Sequence, residues 1–213
     1  PLAERVTEMK GIATGHKLMV SKLVLEADYV INLPIFKTHL GTYISGALKN
    51  VFGYIAGACK AELHRKAPNR DEFAEMLCDV NAVRHPELHI MDVLTALEGN
   101  GPSHGGSLRQ VGKIMASTNA VALDTAMALM MGVEPRFIPL LVTAENRGFG
   151  KADMKSITVE GELSPIPNFK LPATLVVIPT EEALKQAQLA NETRSARLAE
   201  IISGRLATRP ALV

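Results

Sequence analysis

The sequence predicts an α/β domain with a mainly parallel sheet covered by helices on both faces. Short apolar runs rich in β-branched residues alternate with segments of helical periodicity, the pattern of strands joined by crossover helices. The run Asp28 to Pro34 (DYVINLP) is apolar almost throughout, as in strands buried on both faces. The composition, 47% hydrophobic and 21% charged over 213 residues, suits one substantial core.

The elements follow in order. His16 to Val20 (HKLMV) reads as a short strand, and Asp28 to Pro34 as the first buried one. Thr42 to Ile55 sets Ile44, Leu48, Val51 and Ile55 at spacings of three and four, an apolar stripe on a helix. Asp71 to Arg84 does the same with Phe73, Met76, Leu77, Val80 and Val83. His89 to Leu94 and Lys113 to Ala116 read as strands. Asn119 to Met131 is apolar nearly all round and so predicts a buried helix, ended by Gly132. Phe137 to Asn146 is a shorter helix closed by the Gly148 and Gly150 turn. Ile157 to Glu160 and Leu175 to Pro179 are further strands, joined by the proline-rich stretch Gly161 to Pro172, which crosses to an edge strand. The tail, Glu181 to about Leu206, predicts a long C-terminal helix with Thr180 as N-cap and two acidic residues in its first turn. With no internal repeat, residues 1–213 read as a single domain. The chain opens at Pro1 rather than Met, which leaves a trimmed initiator and a piece of a longer protein both open.

Bulk chemistry excludes several classes. A net charge of +1 gives no general attraction to nucleic acid or to an acidic membrane, so any anion binding must be local. Aromatic residues are only 4% and Trp is absent, which argues against a base-stacking platform. Two cysteines, Cys59 and Cys78, make no disulfide framework and cannot supply the thiolates of an iron–sulfur cluster, so none is expected in this chain itself. No apolar run approaches the roughly 20 residues of a membrane span, and no signal-peptide pattern opens the chain. A cytoplasmic location is the expectation.

Chemistry concentrates in two polar loops. The first, Lys37 to Asn50, follows the buried strand, where ligands of open α/β sheets bind. Lys37, Thr38 and His39 offer charge, hydroxyl and imidazole, Gly41 and the helix start behind it offer backbone donors, and Lys49 and Asn50 follow on that helix. Lys60 and His64, four apart, share a face if helical and extend the basic group. This is not a P-loop, since no G-x-x-x-x-G-K-[ST] occurs. The second loop, Glu98 to Gly106, carries Asn100, Gly101 and Pro102 among four glycines, a backbone suited to close ligand approach or to a plain turn. Asp92, inside an apolar run, is either a structural acceptor for amides or a group aimed at the site. Asp124, inside the most apolar helix, either satisfies loop amides or pairs with a site lysine. A metal site made of His39, His64, Glu98 and Asp92 is chemically suitable but has no diagnostic ligand spacing.

These segments together (ADYVINLPIFKTH, GALKNVFG, KAELH, FAEMLCDVN, LEGNGP and AVALD, in that order over about residues 17 to 150) resemble the domain of unknown function 362 family, often found in iron–sulfur proteins of bacteria and archaea. The resemblance implies an α/β fold, a cytoplasmic location and frequent association with a ferredoxin-like module, and it implies no reaction. Lys37, His39, Lys49, Asn50, Lys60, His64, Glu98, Asn100, Gly101, Pro102 and Asp124 fall on its motif positions. The appended Cys-x-x-Cys cluster module and the usual upstream strands have no counterpart here, as in a fragment or a shorter subtype.

Two functions stay open. The first is an enzyme or enzyme subunit that binds a small anionic molecule, phosphate or carboxylate, through Lys37, Thr38, Lys49, Asn50, Lys60, His64, Asn100 and Gly101. In it His39 and Glu98 act as acid or base, with Asp92 and Asp124 behind them. The second is a non-catalytic scaffold that docks a ferredoxin-like electron-transfer partner. Neither involves nucleic acid or membrane, and self-association into a homo-oligomer is left open.

Overall fold

The computed structural model describes residues 5–102 and 104–175. It begins with a two-stranded antiparallel hairpin, β1 (Val6–Lys10) and β2 (Lys17–Ser21). A short helix, α1 (Lys22–Glu26), follows. Asp79 holds the hairpin turn: its carboxylate accepts from the amides of Ala13 and Thr14 at 3.0 and 2.9 Å and from the Thr14 hydroxyl at 2.6 Å. Arg147 pairs with the same carboxylate at 3.0 Å.

The main sheet is mixed rather than mainly parallel. β3 (Ile31–Asn32) and β4 (Ile35–His39) run parallel to β6 (Leu88–Asn100). Pro34 separates β3 from β4, and its carbonyl still accepts from the Asp92 amide at 2.9 Å. β5 (Tyr43–Ser45) returns antiparallel along β4, and β7 (Gly105–Ser117) lies antiparallel along β6 over its whole length. The physical reason is the Gly-Asn-Gly-Pro run. It makes a compact turn that sends the chain straight back, whereas a parallel return needs a crossover of a dozen or more residues. The glycine-rich segment is thus a hairpin tip, and Glu98 to Asn100 belong to the ladder.

Among the described residues the sheet is covered on one face, not two. Asn32, Phe36, Thr38, His89, Met91 and Val93 point into the core. Their neighbours Ile31, Leu33, Ile35, Leu94 and Ile114 are exposed, Leu33 at 64% and Ile114 at 65%. The apolar run that predicted burial on both faces therefore puts every second side chain on an open face.

The helices that cover the other face include α4 (Arg70–Val83) and α5 (Ala120–Met130), within a residue or two of expectation and capped by Asn69 and Asn119. The expected helix from Thr42 to Ile55 is broken into β5, a single helical turn α2 (Ala47–Asn50) and a 3-10 turn (Val51–Tyr54). Tyr43 takes a left-handed φ of 65°, which no continuous helix accommodates. α3 (Gly57–Lys66) and α6 (Pro139–Asn146) complete the set. Among the described residues Ile157 to Glu160 joins no ladder. It lines a cleft of about 590 Å³ with Lys113 to Ser117 and part of α5.

The proline-rich stretch runs over the covered face of the sheet as a strap. Phe169 meets Phe36 edge to face at 5.7 Å, Arg109 donates to the Pro167 carbonyl at 2.8 Å, and the Gly99 amide donates to the Lys170 carbonyl at 2.7 Å. The expected strand Leu175 to Pro179, beyond its first residue, and the long C-terminal helix lie outside the described residues.

Candidate functional site

β4 delivers Lys37, Thr38 and His39 in consecutive positions, and the two faces of the strand separate their roles. Thr38 points inward, fully buried, with its hydroxyl 3.3 Å from the Leu97 carbonyl. Lys37 pairs across the sheet with Ser45 and Leu97 and takes the opposite face. The His39 ring folds back onto its own turn, where Nδ1 accepts from the Gly41 amide at 2.9 Å and the Thr42 amide at 3.2 Å. That assigns the proton of the neutral ring to Nε2. Burial first, then the positive charges of Lys49, His64 and Lys37, pull the His39 pKa down to about 4.

Lys49 stands on α2, half-buried. Burial and the neighbouring ammonium groups of Lys37 and Lys60 pull its pKa down to about 8. Lys60 and His64 are one turn apart on α3 and share the predicted face. The Lys60 ammonium lies 5.8 Å over the Phe52 ring, and His64 stacks on Phe73 at 4.5 Å with Phe52 edge-on at 5.5 Å. Desolvation and the Lys49 charge lower the His64 pKa. Among the described residues no carboxylate pairs with Lys37, Lys49 or Lys60. Lys49 thus lies within electrostatic reach of Lys37, Lys60, His39 and His64.

The start of α2 takes no part as an anion site. Asp124, fully buried in α5, accepts from the Ala47 amide at 2.6 Å and the Leu48 amide at 3.0 Å, so a resident carboxyl group already fills that position. A side chain at Gly46 would collide with the Asp124 carboxylate, which explains the glycine. Asn50 turns toward the sheet, donating to Asn32 Oδ1 at 2.7 Å. Asn32 in turn donates to the Ala47 carbonyl at 2.9 Å and lies 3.0 Å from His89 Nδ1.

The second loop touches the first through backbone. The Leu40 amide donates to the Gly101 carbonyl at 3.1 Å, and a Cβ at Gly101 would strike the Thr38 carbonyl oxygen. Its side chains turn to the strap instead. Glu98, 4% exposed, accepts from the Lys170 amide at 3.1 Å and has the Lys170 ammonium at 3.8 Å, while Asn100 accepts from the Ala173 amide at 2.8 Å. Asp92, far from being buried, is exposed on the open face and accepts from the Leu94 amide at 2.8 Å beside a break in register. Among the described residues no group of three or more His, Cys, Asp or Glu side chains could hold a metal ion, so His39, His64, Glu98 and Asp92 are not brought together as ligands. Gly101→Ala is expected to cost about 1–3 kcal/mol, because backbone rather than a yielding side chain would have to move. A thermal melt would show this as a fall of several degrees.

Sequence reading missed Arg70 at the rim of the first loop. Its guanidinium sits 4.5 Å over the Tyr43 ring and donates to the Leu40 carbonyl at 3.2 Å. The signal was faint, one Arg beside the Asn69 cap. It also missed Asp79, an acidic residue on the apolar stripe of α4, and the buried pair Asn32 and His89.

The chain is thus a mixed α/β domain whose β4 ends in Lys37 to His39. The chain belongs to the family described as domain of unknown function (DUF362), which matches residues 3–129. It is also similar to a thylakoid-associated protein of Synechocystis sp., at 35% identity over 166 residues, covering 76% of this chain and 51% of that protein. The chain thus spans about half the length of that relative. No solved structure matches it significantly. Among the described residues no helix is long and apolar enough to cross a membrane.

Proposed function

We propose that the domain binds a small anionic ligand, a phosphate or a carboxylate, at the cluster formed by Lys37, Lys49, Lys60, His39 and His64. The observation that carries this reading is Lys49, half-buried within electrostatic reach of Lys37 and Lys60 and with no carboxylate partner among the described residues. Burying a charge without a partner is costly, and a bound anion removes that cost. The position beyond the end of a parallel strand is where ligands of α/β sheets usually sit.

In this reading His39 is a neutral donor. Its Nδ1 is committed to two backbone amides, which leaves Nε2–H to point a hydrogen bond at the ligand, so the ring holds the anion and takes no proton from it. Glu98 and Asn100 fix the strap beside the site rather than touch the ligand, and Asp124 holds α2 where Lys49 needs it.

Thermal melts at low ionic strength test the reading with inorganic phosphate and acetate as probes. The wild-type domain is expected to gain about 2–3 kcal/mol at a hundredfold excess over Kd. Lys37→Ala is expected to lose most of that gain. Equal responses from the two proteins would remove Lys37 from the site. Salt-sensitive association with a ferredoxin, without any small-anion response, would move the function to docking an electron-transfer partner.

A further inference from the structure

At the amino end of β6, away from the strand end that carries Lys37, a pocket of about 230 Å³ opens between α4, the start of α5 and the turn after α6. It is smaller than the roughly 300–1,000 Å³ that drug-sized ligands occupy, so it suits a molecule of about one ring. Two of the side chains that line it, Asn81 and His89, are each only 2% exposed.

The hydrogen bonds of these side chains fix which atoms they have left to offer. Asn81 donates through Nδ2 to the Leu48 carbonyl at 2.9 Å and to the Leu77 carbonyl at 2.8 Å. Two acceptors hold the amide nitrogen on that side, and Oδ1 is left as an acceptor with no partner among the described residues. Asn32 Oδ1 accepts from Asn50, and its Nδ2 donates to the Ala47 carbonyl, so what it turns to His89 is the second Nδ2 hydrogen. His89 Nδ1 therefore accepts, and Nε2 carries the ring proton. Burial, and after it His85, hold the His89 pKa down at about 4, which keeps the ring neutral at neutral pH. Among the described residues Nε2–H has no acceptor.

The pocket thus receives one buried donor and one buried acceptor, and leaving either unpaired is costly. Their anchor points are adjacent: Asn81 hangs on the Leu48 carbonyl, and His89, through Asn32, on that of Ala47. The complement is a group with an acceptor and a donor side by side. Among the described residues no Lys, Arg, Asp or Glu side chain lines the pocket, so nothing there favours an ion. Phe149, with the His85 ring edge-on at 5.2 Å, gives it an aromatic wall.

We propose that this pocket binds a small, neutral, planar ligand by an amide edge, its C=O accepting from His89 Nε2–H and its N–H donating to Asn81 Oδ1. Aryl carboxamides and nucleobases with a lactam edge share that chemistry. The site is independent of the anion reading above, since it uses none of the lysines.

Isothermal titration of the full chain with two matched pairs of probes tests it: benzamide against acetophenone, and uracil against uracil methylated on both nitrogens. The second member of each pair keeps the C=O and the ring and lacks the N–H. Benzamide, uracil or both are expected to bind, each at least about tenfold more tightly than its partner, and the tighter of the two identifies the source. Ala120→Leu adds bulk at a lining position without touching either polar group. It is expected to weaken binding at least about tenfold, with a melt to verify folding. In the wild-type chain, the His89 Nε2 nitrogen resonance is expected to shift on binding, a readout that does not depend on any variant. Partners that bind as tightly as their parents, a folded Ala120→Leu chain that binds as well as wild type, or an Nε2 resonance that stays in place would each overturn the proposal. No binding of any probe would leave the pocket to water and overturn it as well.

Discussion

Replacing Lys49 with methionine is expected to make the ligand-free domain more stable, by about 1–2 kcal/mol, and to abolish its stabilisation by phosphate. Most substitutions of a half-buried residue destabilise, so the sign is diagnostic. Methionine keeps the length and flexibility of the lysine stem while removing a charge that folding presses against two like charges. In the ligand-free fold that charge is a liability, and the proposed anion would offset it. Urea melts with and without phosphate read both effects at once. A variant less stable than wild type without ligand would mean that the fold already compensates the ammonium group, and the need for an anion would disappear.

The same lysine sets a pH dependence in which two quantities move in opposite directions. Its folded pKa is about 8, against an ordinary value of 10.5. Between those values the unfolded chain holds a proton on Lys49 that the folded chain has released, so this group makes the ligand-free domain more stable as pH rises through the window. Phosphate binding, as proposed, needs the charged form and is expected to weaken over the same range. Lys49→Met should flatten both trends.

How much of this was legible in the sequence depends on the distance over which each decision is taken. Lys37, His39, Lys49, Lys60 and His64 could be grouped because they fall within one short stretch, after a strand and around glycines. Their companions in the second loop could not be placed the same way. Glu98 and Asn100 are bound by Lys170 and Ala173, more than seventy residues away, in a strap that reads as a linker because its prolines exclude regular structure. The Asp28 to Pro34 run misled for a different reason. A period of two is invisible in a stretch where nearly every residue is apolar, so Ile31 and Leu33, which are exposed, look like the Phe36 that is buried. The polar residue in the middle of that run, Asn32, is inside, held by Asn50, His89 and the Ala47 carbonyl. Thr42 to Ile55 shows the converse failure: a correct apolar stripe spread over a strand, a helical turn and a 3-10 turn, because all three turn the same side toward the core.

Asp124→Ala is expected to be the most damaging single change to the fold, at about 3–5 kcal/mol. Two amides at the start of α2 would lose their acceptor inside the core, each at a cost of about 1–3 kcal/mol, and the vacated volume adds a cavity term. In a chain of this size that corresponds to a fall in Tm of about 6–20 °C. Asp124→Asn separates the terms, because it keeps the volume and one acceptor oxygen, and about half of the loss is expected. The pH profile gives a second handle. Burial, opposed by the bonds from Leu48 and Ala47, pushes the Asp124 pKa up to about 7 from an ordinary value of 3.8. Between those values the folded chain keeps a proton that the unfolded chain has lost. Its contribution to stability is therefore full in acid and declines as pH rises toward 7, a slope the asparagine variant should lack. Because α2 also carries Lys49, both variants should weaken phosphate binding in proportion to their loss of order. A variant that melted early yet bound phosphate as well as wild type would show that Lys49 reaches its place without the Asp124 cap.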